Sequence, residues 1–330
     1  MKLFGKILFA LSLAALFATL VSLLRSDEWF IRAIDMGRVL LVYLAIALLI
    51  LTLFAKSALR WVSLAMLVLV IGINVWRVWP YWTIAPVDMP LAQAADAEDN
   101  CFTAMSINVK MRNEGYPRIA EQIRRHDPDV LLLMETNATW LAELQPILAN
   151  YPEVLEYPKD NTYGLGFASR LPVTQSRVVE NTSRDTPTLY ATLEPEGRPA
   201  FEFIGLHPRP PVPGQDTSKR DENILKAGIE TPDRLSNALV MGDFNDVPWS
   251  RTTDAFRRGG GWDDPRIGRG SFATFPADYV PLGWPLDQVM VKGDLGVRSF
   301  EVLEHAGSDH LGLIAQICMS DVPPSPISPR

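Results

Sequence analysis

Leu239-Val240-Met241-Gly242-Asp243-Phe244-Asn245-Asp246-Val247-Pro248 is the stretch on which the reading of this chain turns. An apolar run of strand character, Ala238 to Met241, breaks off into glycine, carboxylate, aromatic, carboxamide and carboxylate. A buried strand is thereby delivering polar groups to the edge of a sheet. Asp243 and Asn245 stand at i and i+2, which in extended backbone puts them on one side. There the Asp can accept a proton or orient a water, and the Asn, which does not titrate, can donate to a phosphoryl oxygen. An Asx-rich turn that merely closes a strand is the structural alternative. The rest of the chain has to supply the partners that decide between them.

Upstream, the 330 residues are 48% hydrophobic, and the excess lies almost entirely before residue 83. Three apolar stretches, about 7–24, 39–55 and 61–76, each approach the length that crosses roughly 30 Å of hydrocarbon. Charged and aromatic residues bracket them: Arg25, Arg38, Lys56, Arg60, Trp79 and Trp82. We read residues 1–82 as a membrane region of three transmembrane helices, with a cleaved signal peptide as the alternative for the first. Lys2, Lys6, Lys56 and Arg60 on one side balance Arg25, Arg32, Arg38 and Arg77 on the other, so the positive-inside rule ties. The amino terminus tips it inward, and three spans then put the remainder outside the cytoplasmic membrane, in the periplasm or extracellular space.

Residues 83–100, TIAPVDMPLAQAADAEDN, have the composition of a linker, and 321–330, Pro- and Ser-rich, that of a disordered tail. Between them, 101–320 forms one domain. Of the 31 basic and 38 acidic residues, 8 and 3 lie in the first 84, leaving 23 and 35 and a net charge of −12. Such a surface offers polyanions no general attraction, so nucleic acid would have to be held by a local patch or through metal.

The domain opens strand, helix, strand: Phe102 to Val109, Pro117 to His126, Asp129 to Met134. Further strands are expected over Tyr163 to Ser169, Tyr190 to Glu194, Phe201 to Leu206, Pro285 to Val291 and Leu311 to Cys318, and helices over Trp140 to Leu148 and Ser218 to Gly228. This alternation predicts a two-layered sheet core flanked by helices. Asn108, Glu135, His207, Asp243, Asn245, Asp287, Asp309 and His310 all fall at strand ends. His126 and His305 read as surface residues.

In SINVK, DVLLLMET, YGLGFASRLP, FIGLHPRPP, VMGDFNDVPWS, PLDQVMV and GSDHLGLIAQI, taken in that order, the domain resembles the endonuclease/exonuclease/phosphatase superfamily of DNase I-like metal-dependent phosphoesterases. The resemblance covers roughly 101–319. It implies an α/β fold, an α+β four-layer sandwich of the DNase I-like type, here preceded by three transmembrane α-helices. It also implies metal-dependent phosphodiester hydrolysis. By that resemblance Glu135 and Asn108, with Asp309 nearby, would hold Mg²⁺ or Mn²⁺. His310, oriented by Asp287, would take the proton from the attacking water; Asp243 and Asn245 would position water and stabilise the phosphorane; His207 would contact the phosphate or protonate the leaving oxygen. Two positions depart from the pattern. Lys110 stands where some relatives have a second carboxylate, and Gln288 where many have His or Tyr.

The segment 257–284, RRGGGWDDPRIGRGSFATFPADYVPLGW, reads in two ways. It is a substrate-gripping loop, with Arg257, Arg258, Arg266 and Arg269 for phosphates (alongside Arg209) and Trp262 for a base or acyl chain, or a surface insertion whose aromatics cover the sheet. The substrate, nucleic acid or phospholipid, stays open at this level, as does a non-catalytic binding module that kept the fold. No protein partner is implied.

In the superfamily the first and last strands pair antiparallel with Asn108 and His310 at the same end. An antiparallel ladder keeps the sum of paired residue numbers nearly constant, 418 for that pair and 419 for Cys101 and Cys318. The resemblance thus sets the two cysteines opposite each other. A disulfide, signalling an oxidising compartment, and two packed thiols are the alternatives.

Overall fold

The computed structural model describes residues 2–92, 100–182, 184–229 and 235–319; most of the predicted linker and the whole predicted tail lie outside these. The chain divides into two compact units, one of Met1–Pro86 with Pro211–Ser218 and one of Val87–Pro210 with Lys219–Arg330.

Three helices build the first unit: α1 (Lys2–Val21), α2 (Trp29–Leu53) and α3 (Arg60–Val78). All three are long and apolar enough to cross a membrane. Leu8, Ala45, Leu48, Leu67 and Val70 form their shared core. α2 begins ten residues before the apolar run that sequence reading marked at 39. Its first turns carry Arg32, Asp35 and Arg38, charges that an apolar count rejects, yet both arginines are paired with the one aspartate. Asp35 accepts from Arg32 at 2.7 Å and from Arg38 at 2.6 Å. Arg38 also donates to Asn74 Oδ1 of α3 and to Ser22 Oγ just beyond α1, so the polar groups of all three helices meet in one buried network.

In the second unit the order is β1 (Cys101–Asn108), α4 (Tyr116–His126), β2 (Val130–Met134), α5 (Ala138–Leu148), β3 (Glu153–Tyr157), β4 (Leu165–Ser169), β5 (Val173–Val179), β6 (Thr188–Leu193) and β7 (Phe201–Leu206). Then come α6 (Ser218–Ile229), β8 (Ala238–Asp243), α7 (Arg251–Gly260), β9 (Asp287–Lys292), β10 (Leu295–Val302) and β11 (Leu313–Met319). Two sheets result: β10-β11-β1-β2-β4-β3 and β5-β6-β7-β8-β9.

The sheets pack face to face because one side of each strand is apolar. Leu132 and Met134 of β2, Phe167 of β4, Phe203 of β7, Met241 of β8 and Ile317 of β11 all sit in that central core. The outer face of the first sheet is covered by α4 and α5 through Ile119, Ile123, Trp140 and Leu144. That of the second is covered by α6 and α7 through Ile224, Ala227 and Phe256. The expected four-layer DNase I-like sandwich is the fold observed. β1 pairs β11 antiparallel with Cys101 directly opposite Cys318, and the two form a disulfide.

Candidate active site

Parallel pairing of β1 with β2 and of β7 with β8 sends four strand ends to one side of the sandwich. β9 runs antiparallel to β8 and starts at that same side, with Asp287 the register partner of Asp243. Topology therefore collects Asn108, Glu135, His207, Asp243, Asn245, Asp287 and His310 from distant parts of the chain. Gly242 is required at the approach to this edge, since at φ +139° a Cβ would stand 2.1 Å from the Leu206 carbonyl oxygen.

Asp243 lies at the centre. Its Oδ2 accepts from Asn108 Nδ2 at 3.2 Å and is 3.6 Å from His310 Nε2 and 3.7 Å from His207 Nε2. Its Oδ1 accepts from the Asn245 N–H at 2.8 Å. Asn245, held at φ +48°, donates its Nδ2 to the Pro208 carbonyl at 3.0 Å, which ties the loop of the His207 motif to the loop after β8. His310 Nδ1 is 2.8 Å from Asp287 Oδ2. Asp243, Asp287 and His310 offer ligand atoms within 4.8 Å of one another.

Charge and burial set the protonation of this group. Burial works against a charged His310, but Asp287 and then Asp243 outweigh it and push the imidazole up to about 10. His207 goes the other way, because complete burial lowers it despite Asp243. Burial raises Asp243, opposed by the positive charge of His310. Asp287 and Asp243 thus favour the imidazolium form of His310, while burial favours a neutral His207.

Glu135 follows β2 at φ +60° and is half-buried. Its Oε1 accepts from Asn108 Nδ2 at 3.1 Å and its Oε2 from the Met111 N–H at 3.2 Å. No lysine or arginine pairs with it among the described residues. Two accepted hydrogen bonds leave lone pairs on a carboxylate beside a carboxamide oxygen, a donor set that fits a hard divalent cation. Asp309 stands apart from the buried group, paired at 3.2 Å with Lys110, the residue that replaces the second carboxylate of some relatives.

For Trp262 and Arg266 the structure of segment 257–284 corrects the substrate-gripping expectation. Trp262 is 2% exposed, stacked on Phe256 at 5.4 Å, with its indole N–H donated to the Gly228 carbonyl. Arg266 is 1% exposed and forms a bidentate pair with Asp264. Neither can reach a substrate. Arg257 pairs with Asp88 and Asp254, Arg258 with Asp254, and Arg269 donates to the carbonyls of Pro265 and Met89. Trp262 and Arg266 thus turn inward to hold the structure, Arg257 and Arg269 are half-buried with their partners, and Arg258 is exposed, paired only along its own helix.

Several supporting residues escape sequence reading. Arg266 also donates to Gln288 Oε1 at 2.7 Å, and Gln288 Nε2 donates to the Asp246 carbonyl at 2.9 Å. The residue that departs from the family pattern therefore braces the loop carrying Asn245. Arg220 of α6 donates to the Asn245 carbonyl at 3.2 Å. Ser308 Oγ donates to the Asn108 carbonyl at 2.7 Å and accepts from the His310 N–H, so the serine of the terminal motif links two site strands. Phe275, 4.8 Å from the His310 ring, and Tyr163, 5.6 Å from that of His207, had no signal beyond being aromatic.

The family model described as "Endonuclease/Exonuclease/phosphatase family" matches residues 105–310. No curated protein matches by sequence. Among solved structures, a humanized D. rerio TDP2 bearing 14 mutations is similar at TM-score 0.55 and 14% identity, over 66% of this chain and 99% of its own. A D. rerio TDP2 complexed with a single-strand DNA product has the same TM-score and identity, over 66% and 98%. The endonuclease/exonuclease/phosphatase from Beutenbergia cavernae DSM 12333 is similar at TM-score 0.53 and 19% identity, over 67% and 72%. At these identities the likeness is one of fold.

Proposed function

This chain belongs to the Endonuclease/Exonuclease/phosphatase family, and from that premise we propose that it hydrolyses phosphodiesters with a divalent metal and is anchored to a membrane by α1, α2 and α3. The observation that carries the reading is the 2.8 Å contact of His310 with Asp287 beside Asp243, buried at the strand ends.

Asp287 holds His310 through Nδ1, which directs Nε2 toward the space beside Asp243. In its neutral form His310 takes a proton from water at Nε2, and Asp287 stabilises the imidazolium that results. Asp243 and Asn245 orient that water and the phosphoryl oxygens, with Asn108 restraining Asp243. His207, neutral and buried, donates to the phosphate or to the leaving oxygen. Glu135 and Asn108, with Asp309 at the rim, are the residues to hold the cation. When bound, Mg²⁺ or Mn²⁺ supplies charge that polarises the phosphoryl group and favours the neutral form of His310. In-line positioning and charge neutralisation then account for most of the acceleration.

Two substrate classes compete within this reading. The single-strand DNA product bound by the D. rerio TDP2 favours nucleic acid, while the apolar helices favour a phospholipid head group. The disulfide supports an oxidising compartment and hence a catalytic unit outside the cytoplasmic membrane.

The test is hydrolysis by the full chain in detergent of bis-p-nitrophenyl phosphate, plasmid DNA and phospholipid vesicles, with Mg²⁺, Mn²⁺ or EDTA, and with His310→Ala alongside. Turnover that needs both metal and His310 is the expected result. Turnover of nothing in either metal would leave a membrane-tethered binding module.

A further inference from the structure

Several arginines near the candidate site are committed to carboxylates. Arg220, Arg257, Arg258 and Arg266 each carry a carboxylate partner, namely Asp221, Asp88, Asp254 and Asp264. Arg209, two residues beyond His207, is different. Its Nε donates to Thr186 Oγ1 at 2.9 Å and its Nη2 to the Arg184 carbonyl at 3.0 Å, both neutral acceptors. Among the described residues no carboxylate lies within ion-pair distance of it. Two hydrogen bonds hold the guanidinium in place, which lowers the entropy lost on binding, and its Nη1 edge is left for a ligand.

The position of that charge is set by a stack. The guanidinium carbon lies 5.8 Å over the Tyr163 ring, and the Tyr163 ring lies 5.6 Å from that of His207. Burial pushes the Tyr163 phenol up; Arg209 opposes this, while Glu135 and Asp243 add to it. The phenol therefore stays an O–H donor at neutral pH, at the electronegative side of the site. Arg209 and Tyr163 together give a held cation and a phenol donor one ring beyond His207. In a domain of net charge −12, a guanidinium near the site with no direct ion pair among the described residues, although Asp185 lies within reach of its charge, supplies local attraction that the surface as a whole lacks.

We propose that Tyr163 and Arg209 form a subsite beside His207 for a second phosphate of the substrate, so that the site prefers a phosphodiester flanked by another phosphate over an isolated or zwitterionic one. Guanidinium and phosphate match in charge and in fork geometry. The inference rests on the hydrolytic reading above and narrows its substrate class. Flanking phosphates occur in polynucleotides and in phospholipids with two phosphates.

The experiment uses the full chain in detergent. Binding is measured in EDTA for the dithymidine phosphodiester and for the same dinucleotide with a terminal phosphate at either end. Phosphatidylglycerol is compared with cardiolipin in mixed micelles as the lipid pair. The wild type should favour the doubly phosphorylated partner in at least one pair by about ten-fold, the scale of one charged hydrogen bond, and the pair that responds identifies the source. Arg209→Met should bring the ratio to near one, Arg209→Lys should keep part of it, and Tyr163→Phe should reduce it. A ratio unchanged by Arg209→Met, or none in the wild type, overturns the subsite. Hydrolysis is followed in parallel with Mg²⁺ or Mn²⁺. If nothing turns over while the binding ratio responds to Arg209, the subsite stands and the hydrolytic reading falls.

Discussion

His310 and Asp287 share a 2.8 Å contact although they arrive from different sheets, His310 ahead of β11 and Asp287 at the first residue of β9. Because Asp287 with Asp243 pushes His310 up to about 10, the folded, metal-free protein binds this proton more tightly than the unfolded chain, whose histidine titrates near 6.5. The sign follows from linkage. The stabilisation is present in full below about pH 6.5 and is lost as pH rises toward about 10. An imidazole NMR titration in EDTA should show one histidine with this late midpoint, and Asp287→Asn should move it down. If no histidine of the wild type titrates above 7, the basis of the argument is removed.

Asp287→Asn should also cost activity. The amide can still sit near Nδ1 but does not stabilise the imidazolium, so kcat should fall by roughly 10²- to 10⁴-fold, the usual range for a general base. His310→Ala should fall at least as far. The double variant should be no worse than His310→Ala, because the two residues act as one unit. Additive losses would mean that Asp287 acts elsewhere.

Chelation gives a separate prediction. With Glu135 free of any basic partner among the described residues and accepting only two hydrogen bonds, its carboxylate is the group best placed to lose its cation on substitution. EDTA should abolish turnover, and Mg²⁺ or Mn²⁺ should restore it. Glu135→Gln should raise the metal concentration needed for half-activity by at least ten-fold, since a charged ligand becomes a neutral one. An unchanged metal response in that variant would send the ion to another set of ligands.

Strand-end position together with the family resemblance pointed to Asn108, Glu135, His207, Asp243, Asn245, Asp287 and His310, polar residues interrupting apolar runs, which the fold brings to one edge. Three strands were missed, β3, β5 and β10; β10 carries only a short alternation, Leu295 and Val297 buried, inside a stretch that reads as a polar loop. β3 has mostly exposed residues and β5 an exposed middle, so neither shows a buried face. Residue type also does not reveal direction. Trp262 follows three glycines and reads as a loop aromatic, yet a Cβ at Gly260 would stand 2.4 Å from its indole nitrogen, so the glycine is the space into which the indole folds. Arg266 reads as a phosphate ligand because Asp264, its partner, is only two positions away and looks like part of the same polar loop.

That correction can itself be tested. Arg266→Met leaves Asp264 buried without its counter-ion and should destabilise the protein by about 3–5 kcal/mol. Adding Asp264→Leu should restore much of the loss, because the pair is then replaced by apolar groups. A substrate-gripping arginine would instead weaken substrate binding with little change in the unfolding midpoint.

Cys101 and Cys318 close a loop with a sequence separation of 217 between the first and last strands of the sandwich. In the chain-entropy account, a loop of that size stabilises the fold by about 5 kcal/mol through the unfolded state. β1 is an interior strand of its sheet, between β11 and β2, so the bond fastens the end of the chain to the centre of the domain. Reduction, or a Cys101→Ala/Cys318→Ala variant, should therefore lower the unfolding midpoint of the catalytic unit markedly. It should leave KM unchanged at temperatures where the protein stays folded, because the cysteines lie at the opposite ends of β1 and β11 from Asn108 and His310. A midpoint insensitive to reductant, with free thiols titratable before reductant is added, would show that the two cysteines only pack, and would withdraw the support they give to an oxidising compartment.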